Sequence, residues 1–329
     1  MWMKKNRKAV GLISAGLDSV VSAAIVKEEG YDIIGVHILT PFVSGLGSKT
    51  LTTLKYISES LEFDLRILKS DEEYIELVKN PKYGYGKNIN PCIDCHIYML
   101  SKAKKIMDEE GADFVFTGEV VGQRKKSQTK EALRIIERDL GLEGKLLRPL
   151  SAQLLPETQM EINGLIDRNK LLSIEGKQRV LQLKIAKEKG LKFFQTPAGG
   201  CLLTEERFCN RLKDLFKYKP NSYNEDYVLL QLGRHFRVSE DTKLIVARDA
   251  DENEKMINHL GCDKYTVYSS ILPEVKAVID GMPNELALKI FASYISAQEI
   301  EVVVEKDSSQ IIRRVVRGEN KLNYHKYLL

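Results

Sequence analysis

The chain has 329 residues, 43% of them hydrophobic and 29% charged, with a formal net charge of +4 and an isoelectric point near 8.6. That length is long for a single core and predicts two domains or more, while the composition is that of a globular protein and excludes a membrane span, because no apolar run is long enough. The mildly basic balance permits a nucleic-acid partner without requiring one.

Near the N-terminus, Lys4, Lys5, Arg7 and Lys8 precede an apolar stretch, 9–17, and imitate a signal peptide. Asp18 cuts that run short and no small-residue cleavage site follows, so the expectation is a mature cytoplasmic chain with no membrane association. Five cysteines without a secretory signal argue against a disulfide scaffold.

In chain order, 8–13, 31–37, 63–68, 113–117 and 146–150 read as strands, alternating with helices at 20–29, 50–60, 72–79, 96–110 and 129–140. Gly30, Gly111 and Gly141 stand as C-terminal helix stops. The alternation predicts an α/β fold, a doubly wound parallel sheet with helices on both faces. Ligands of such sheets bind beyond the carboxyl ends of the strands, which puts 14–19, 37–40 and 117–119 on one rim.

Ser14-Ala15-Gly16-Leu17-Asp18-Ser19 joins the first strand to the first helix. A small hydroxyl- and glycine-containing turn at a helix N-terminus offers backbone N–H groups to an anion, so the hexapeptide is a candidate nucleotide phosphate site. An ordinary corner capped by Ser or Asp gives the same pattern.

The stretch 151–190 is polar and helical, broken at Pro156 and Gly164, with a basic helix over 176–190. The loop Thr196-Pro197-Ala198-Gly199-Gly200-Cys201 is expected to return toward the first domain, followed by a helix over 204–217 and a linker at Pro220-Asn221-Ser222. Strands at 227–232, 244–247, 299–305 and 311–316, with helices at 252–260 and 285–295, predict a smaller C-terminal α+β domain. The expected boundaries are 1–217, comprising a core of 8–150 and an extension of 151–217, and 218–329.

Two patterns mislead. Gly45-Leu46-Gly47-Ser48-Lys49-Thr50 suggests a Walker A loop, but that motif needs Gly directly before Lys. Cys92-Ile93-Asp94-Cys95-His96 fits haem attachment, which normally belongs to exported proteins. At the start of a helix the same pair is expected to have lowered thiol pKa values and to serve as a redox pair, half a zinc site or part of an iron–sulfur site. Cys201, in a Gly-Gly loop, is a third candidate, whereas Cys209 and Cys262 have no partners in the pattern and read as inert thiols.

The hexapeptide resembles the PP-loop of N-type ATP pyrophosphatases, written S-G-G-x-D-S, with Ala15 in place of the second glycine. Asn90-Pro91-Cys92 with Cys95, and Gly200-Cys201-Leu202-Leu203-Thr204-Glu205, resemble the two cysteine motifs of tRNA 2-thiouridylases. Gly111-Ala112-Asp113-Phe114-Val115-Phe116-Thr117-Gly118 and Arg148-Pro149-Leu150 match further motifs of that family in the same order. The resemblance covers 8 to about 217 and extends to tRNA 4-thiouridine synthetases. Glu119 replaces the usual His after Thr-Gly and is followed by Val120-Val121-Gly122-Gln123-Arg124, which points to a distinct subfamily and leaves the modified uridine open.

The resemblance implies a HUP-like PP-loop sheet and a tRNA sulfurtransferase that adenylates a uridine carbonyl oxygen with ATP and Mg²⁺, then replaces it by sulfur to give 4-thiouridine or 2-thiouridine. ATP would be held by Ser14, Ala15, Gly16, Leu17, Asp18, Ser19, His37, Ile38, Thr117 and Gly118, with Asp18, Cys92 and Cys201 carrying the chemistry. Cys92, Cys95 and Cys201 match the three ligands of a [4Fe–4S] cluster; the rival route makes Cys201 a persulfide carrier with Cys92 as partner, and zinc or a structural role is a third option. Sulfide or a sulfur carrier fed by a cysteine desulfurase would supply sulfur, and a homodimer is left open.

For tRNA, Arg124, Lys125, Lys126 and Lys130, continued by Arg134 and Arg138, form a basic series suited to phosphates, although a solvated helix face has the same pattern. Arg313, Arg314, Arg317, Lys321 and Lys326, near Tyr324 and Tyr327, form a second series. The C-terminal domain is expected to bind RNA, and its 232–236 and 243–247 stretches resemble RNA-associated domains of ribosome-quality-control proteins. Two other classes compete: a PP-loop ligase adenylating a small molecule, and a nucleotide-sensing RNA-binding protein with structural zinc.

Overall fold

The computed structural model describes residues 7–43, 48–195, 201–272, 274–296, 299–307, 309–316 and 321–329. The chain divides into two compact units, Met1–Thr204 and Glu205–Leu329.

The first unit runs β1 (Lys8–Leu12), α1 (Leu17–Glu28), β2 (Asp32–Leu39), α2 (Ser48–Ser60), β3 (Asp64–Lys69), α3 (Glu72–Lys79), α4 (Cys92–Glu110), β4 (Phe114–Thr117), α5 (Lys130–Leu140), β5 (Leu146–Leu147), α6 (Gln159–Ile162) and α7 (Val180–Glu188). The five strands are parallel in the order β3-β2-β1-β4-β5. β1 and β4 are apolar almost throughout because both faces of a parallel sheet are covered. After β3 the chain crosses to the other side of β1 to lay down β4, so the strand order reverses between β1 and β4. That switch point opens a crevice at their carboxyl ends. β1 stops at Leu12, opposite Val36, so His37 to Leu39 run on beyond it toward the crevice.

Most expected elements appear with shifted ends. α1 begins at Leu17 rather than 20, which places Asp18 and Ser19 in its first turn with Gly16 as N-cap. α4 begins at Cys92 rather than 96. β5 has two residues rather than five: Pro149 has no N–H for a ladder, and Ser151 N turns back to Arg148 O at 3.0 Å. Gly111 and Gly141 both end their helices in the left-handed conformation.

The second unit holds α8 (Glu206–Tyr218), α9 (Asn224–Leu229), β6 (Arg234–Ser239), β7 (Thr242–Val246), α10 (Ala250–Asn258), β8 (Lys264–Ser269), β9 (Lys276–Gly281), α11 (Glu285–Ala292), β10 (Glu299–Lys306), β11 (Ser309–Val316) and a final 3₁₀ turn, Lys321–Tyr327. Its sheet is antiparallel in the order β11-β10-β8-β9-β7-β6. α11 packs Ala287, Ile290 and Phe291 into the core with Phe236, Val267 and Val302. The expected strand at 227–232 is instead helix α9 and the turn after it, because the Asp226 carboxylate accepts from Tyr223 N at 2.9 Å and closes a helical cap. The division also falls before α8, at 204/205 rather than 217/218. On α8, Asp214 is paired with Arg237 and Lys243, and Arg211 donates to the carbonyls of Leu230 and Gly233. Pro220-Asn221-Ser222 therefore lies inside the second unit. Among the described residues, no helix is long and apolar enough to cross a membrane.

Candidate nucleotide and sulfur site

The loop 14–19 closes on itself through its serines. Ser19 Oγ donates to Gly16 O at 2.9 Å and accepts from Ser14 N at 3.2 Å, and the two hydroxyls lie 3.3 Å apart. Ala15 is buried and takes φ 60°, in the left-handed region that glycine adopts most readily. Its carbonyl accepts from Gln195 N at 2.8 Å, and Gln195 Nε2 donates to Thr50 at 3.0 Å, so 191–195 and α2 brace the loop.

Gly118 presses against this turn. A Cβ added there would lie 2.5 Å from Ser19 N, 2.6 Å from Asp18 C and 2.7 Å from Ser19 Cα. The end of β4 and the start of α1 thus form one wall of the crevice. Asp18 is buried; its Oδ2 accepts from Gln123 Nε2 at 3.1 Å and Arg179 Nε at 3.3 Å, while Oδ1 has no protein partner. A buried, unpartnered carboxylate oxygen beside a phosphate-type loop suits Mg²⁺, a hard cation that takes oxygen ligands. Burial holds the His37 pKa down, and its Nδ1 lies 2.7 Å from Ile13 O, so the ring props the base of the loop while Nε2 has no partner. The Ile38 side chain is buried, which leaves only its backbone for a nucleotide.

The cysteine pair lies on the first turn of α4, entered through Pro91. Asp94 accepts from the backbone of Lys82 at 2.8 Å and Tyr83 at 3.2 Å, tying down the chain that leads in. Cys92 Sγ donates to Asn90 Oδ1 at 3.0 Å, and Cys95 Sγ lies 3.6 Å from Tyr74 OH. The Tyr74 ring is 5.9 Å from that of Phe42, whose carbonyl accepts from Leu202 N at 3.2 Å, next to Cys201. Cys201 and Cys95 both act electrostatically on the Tyr74 hydroxyl. None of the five cysteines is in a disulfide.

The expected lowering of the thiol pKa values does not occur. Burial pushes Cys92 up, only partly offset by Arg124, Ser127 and Lys126, and burial pushes Cys95 up to about 12. Desolvation outweighs the helix N-terminus here. Among the described residues, no group of three His, Cys, Asp or Glu side chains is arranged to hold a metal ion.

A buried polar network that the sequence did not disclose joins these parts. Burial pushes the Glu119 carboxyl up, but Arg148 and His96 overcome it and hold it at about 2. Glu119 accepts from His96 Nδ1 at 2.7 Å and Arg148 Nε at 2.9 Å, and Arg148 also pairs with Glu137. Thr117 Oγ1 donates to the same carboxylate at 3.1 Å. The departure at Glu119 and the Arg-Pro-Leu motif were the available signals; for Gln123 and Arg179 there was none.

Of the basic series, Arg124, Lys125, Lys130 and Arg134 are exposed. Lys126 is half-buried and donates to Tyr83 O at 3.2 Å, and Arg138 lies 3.3 Å from Asp139. The Arg124 charge bears on both Cys92 and Cys95, partly offsetting the effect of their burial. In the C-terminal series Arg313 is exposed on β11, but Tyr324 is buried in the core and offers no stacking face. Arg317, Gly45 to Gly47 and Thr196 to Gly200 lie outside the described residues.

Fold and crevice together define a PP-loop α/β domain followed by an antiparallel-sheet domain. Residues 5–153 match the family model described as Thiamine biosynthesis protein (ThiI), and 233–327 match that described as NFACT protein RNA binding domain. The tRNA-specific 2-thiouridylase MnmA of Geotalea uraniireducens is 31% identical over 134 residues, 35% of each chain. The probable tRNA sulfurtransferase of Thermococcus kodakarensis is 31% identical over 152 residues, 44% of this chain and 36% of that one. A solved 4-thiouridine synthetase–RNA complex with bound ATP aligns with 56% of this chain and 50% of its own at 23% identity, with a TM-score of 0.34, a likeness too loose to argue from. The matched segments thus span little more than a third of the curated relatives, and the first unit is ThiI-like over 5–153, with similarity to tRNA thiouridylases. The RNA-domain match falls on the unit expected to bind RNA.

Proposed function

We propose that the protein is an ATP-dependent tRNA sulfurtransferase of the cytoplasm that thiolates a uridine. The observation that carries the reading is the short covalent and hydrogen-bonded path from loop to thiols: Gly118 packs on Ser19, Glu119 follows it, and Glu119 holds His96, the neighbour of Cys95. A nucleotide loop alone would serve many ligases; cysteines joined so closely to it have a use in sulfur chemistry.

In this reading the loop N–H groups and Ser14, Gly16 and Ser19 cradle the ATP phosphates, and Asp18 Oδ1 is the ligand that would hold Mg²⁺, which would neutralise the charge of the leaving pyrophosphate. The uridine carbonyl oxygen attacks the α-phosphorus and pyrophosphate leaves. Sulfur then adds to the activated carbon, and AMP departs with the former carbonyl oxygen. Arg124, Lys125 and Lys130 take tRNA phosphates beside the crevice while the uridine is turned out of its stack. The second unit supplies further RNA affinity.

For the sulfur donor, the finer proposal is a [4Fe–4S] cluster on Cys92, Cys95 and Cys201, whose open iron would hold sulfide. Its support is the donor chemistry: Cys92 and Cys201 both act electrostatically on Cys95, a thiol too desolvated to ionise unaided but able to ionise on metal binding. The second reading, which needs no metal, is a Cys201 persulfide with Cys92 as partner. Anaerobic purification with iron, sulfide and zinc analysis of wild type and Cys201→Ala separates the two. About four irons with four sulfides, lost in the variant, support the cluster; iron-free protein that forms thiouridine supports the persulfide.

A further inference from the structure

Glu119 ties three parts of the crevice to one carboxylate. Oε1 accepts from His96 Nδ1 on α4, and Oε2 accepts from Arg148 Nε after β5 and Thr117 Oγ1 at the end of β4. Arg148, 2% exposed, is itself anchored to α5 through Glu137 and the Leu133 carbonyl at 3.4 Å. His96 follows Cys95 directly and lies one helical turn beyond Cys92, so fixing the ring fixes the turn that carries both thiols. At the other end, Gly118, directly before Glu119, leaves no space between the segment after β4 and the first turn of α1.

Such a network is a poor way to gain stability, because burying charged groups costs about as much as their pairing returns, and well-packed apolar residues often do better. A fully satisfied network supplies a single geometry instead. We propose that Glu119 and His96 are positioning residues for sulfur delivery: they hold the turn that carries Cys92 and Cys95 in register with the nucleotide rim, so that sulfur held at the cysteine site meets the activated uridine carbon. The proposal rests on the thiolation reading above. It separates two half-reactions, since the strut serves sulfur addition and leaves adenylation to the loop.

His96→Leu removes the strut's last link while leaving Arg148 paired with both glutamates, and His96→Gln restores a donor to Glu119. Four quantities are measured on the full chain: fluorescent ATP-analogue binding, tRNA-dependent pyrophosphate release, thiouridine formation, and the rate at which iodoacetamide alkylates Cys92 in metal-free protein. For His96→Leu, thiouridine formation is expected to fall by about 10- to 100-fold, as for residues that orient a reactive site. Analogue binding and pyrophosphate release hold within about twofold, Cys92 alkylation changes rate, and His96→Gln recovers part of each loss. Parallel loss of pyrophosphate release and thiouridine, or no change in either, overturns the proposal. Wild-type protein that releases no tRNA-dependent pyrophosphate and makes no thiouridine overturns the parent reading instead; unchanged Cys92 alkylation in His96→Leu then overturns the strut on its own.

Discussion

Replacing Gly118 by Ala tests how the crevice is built. The new methyl would meet three backbone atoms at 2.5 to 2.7 Å, where ordinary contact begins near 3.4 Å. Neither wall yields cheaply: the first turn of α1 is held by Val20 N to Gly16 O at 3.2 Å, and β4 is paired to β1 through Thr117 opposite Leu12. Relief requires the loop to shift by roughly 0.9 Å, and forcing a methyl into such packing costs about 1–3 kcal/mol. For a domain of this size that lowers Tm by roughly 3–10 °C. A displacement of that order also misplaces the N–H groups that would meet the phosphates, a loss of about 100-fold in rate. Calorimetry measures the first effect and tRNA-dependent pyrophosphate release the second, while titration with a fluorescent ATP analogue reads the accompanying change in affinity. A Gly118→Ala variant with wild-type Tm and wild-type nucleotide affinity would refute the close-approach argument.

Other outcomes follow from single residues. Ala15→Gly relieves a left-handed alanine worth about 1 kcal/mol but adds unfolded-state freedom and loses a buried methyl, so Tm should stay within a few degrees by calorimetry. Arg148→Met leaves Glu119 and Glu137 without their cation and should cost about 3–5 kcal/mol in urea unfolding. Glu119 has a folded pKa depressed to about 2, so its contribution is present above the unfolded value of 4.5 and is lost as pH falls through the folded one. Urea midpoints should therefore drop between about pH 4.5 and 2, and less steeply in Glu119→Gln. With Cys95 raised to about 12, its thiolate is scarce at neutral pH, and mass spectrometry after mild alkylation should find it unmodified in metal-free protein.

The parallel sheet was legible because β1, β2 and β4 are largely apolar and buried, and because glycine follows α1, α4 and α5. The strand–loop–helix corner at 14–19 was legible because small residues stand there between an apolar strand and a helix. The second unit was harder: β6, β8 and β9 contain Arg234, His235, Lys264, Tyr265 and Lys276 among their apolar residues, so alternation was weak and three strands were missed. At 227–232, apolar content outweighed the cap at Asp226. The cysteines were found by spacing, but their ionisation was misjudged, since burial by Tyr74 and the chain around it is a tertiary fact. The network of His96, Glu119, Glu137 and Arg148 draws on residues far apart in the chain and becomes visible only when β4, α4 and α5 are brought together.

The most direct test of the central claim incubates the protein with ATP, Mg²⁺ and unmodified tRNA under anaerobic conditions, with sulfide in one arm and with cysteine, a cysteine desulfurase and a thiol reductant in the other, then digests the RNA for nucleoside mass spectrometry while AMP and pyrophosphate are counted. The account predicts a thiouridine formed in step with AMP and pyrophosphate, and abolished by Asp18→Asn and by Cys201→Ala. AMP formed without tRNA, or tRNA recovered with unaltered uridines in the presence of every substrate, would contradict it.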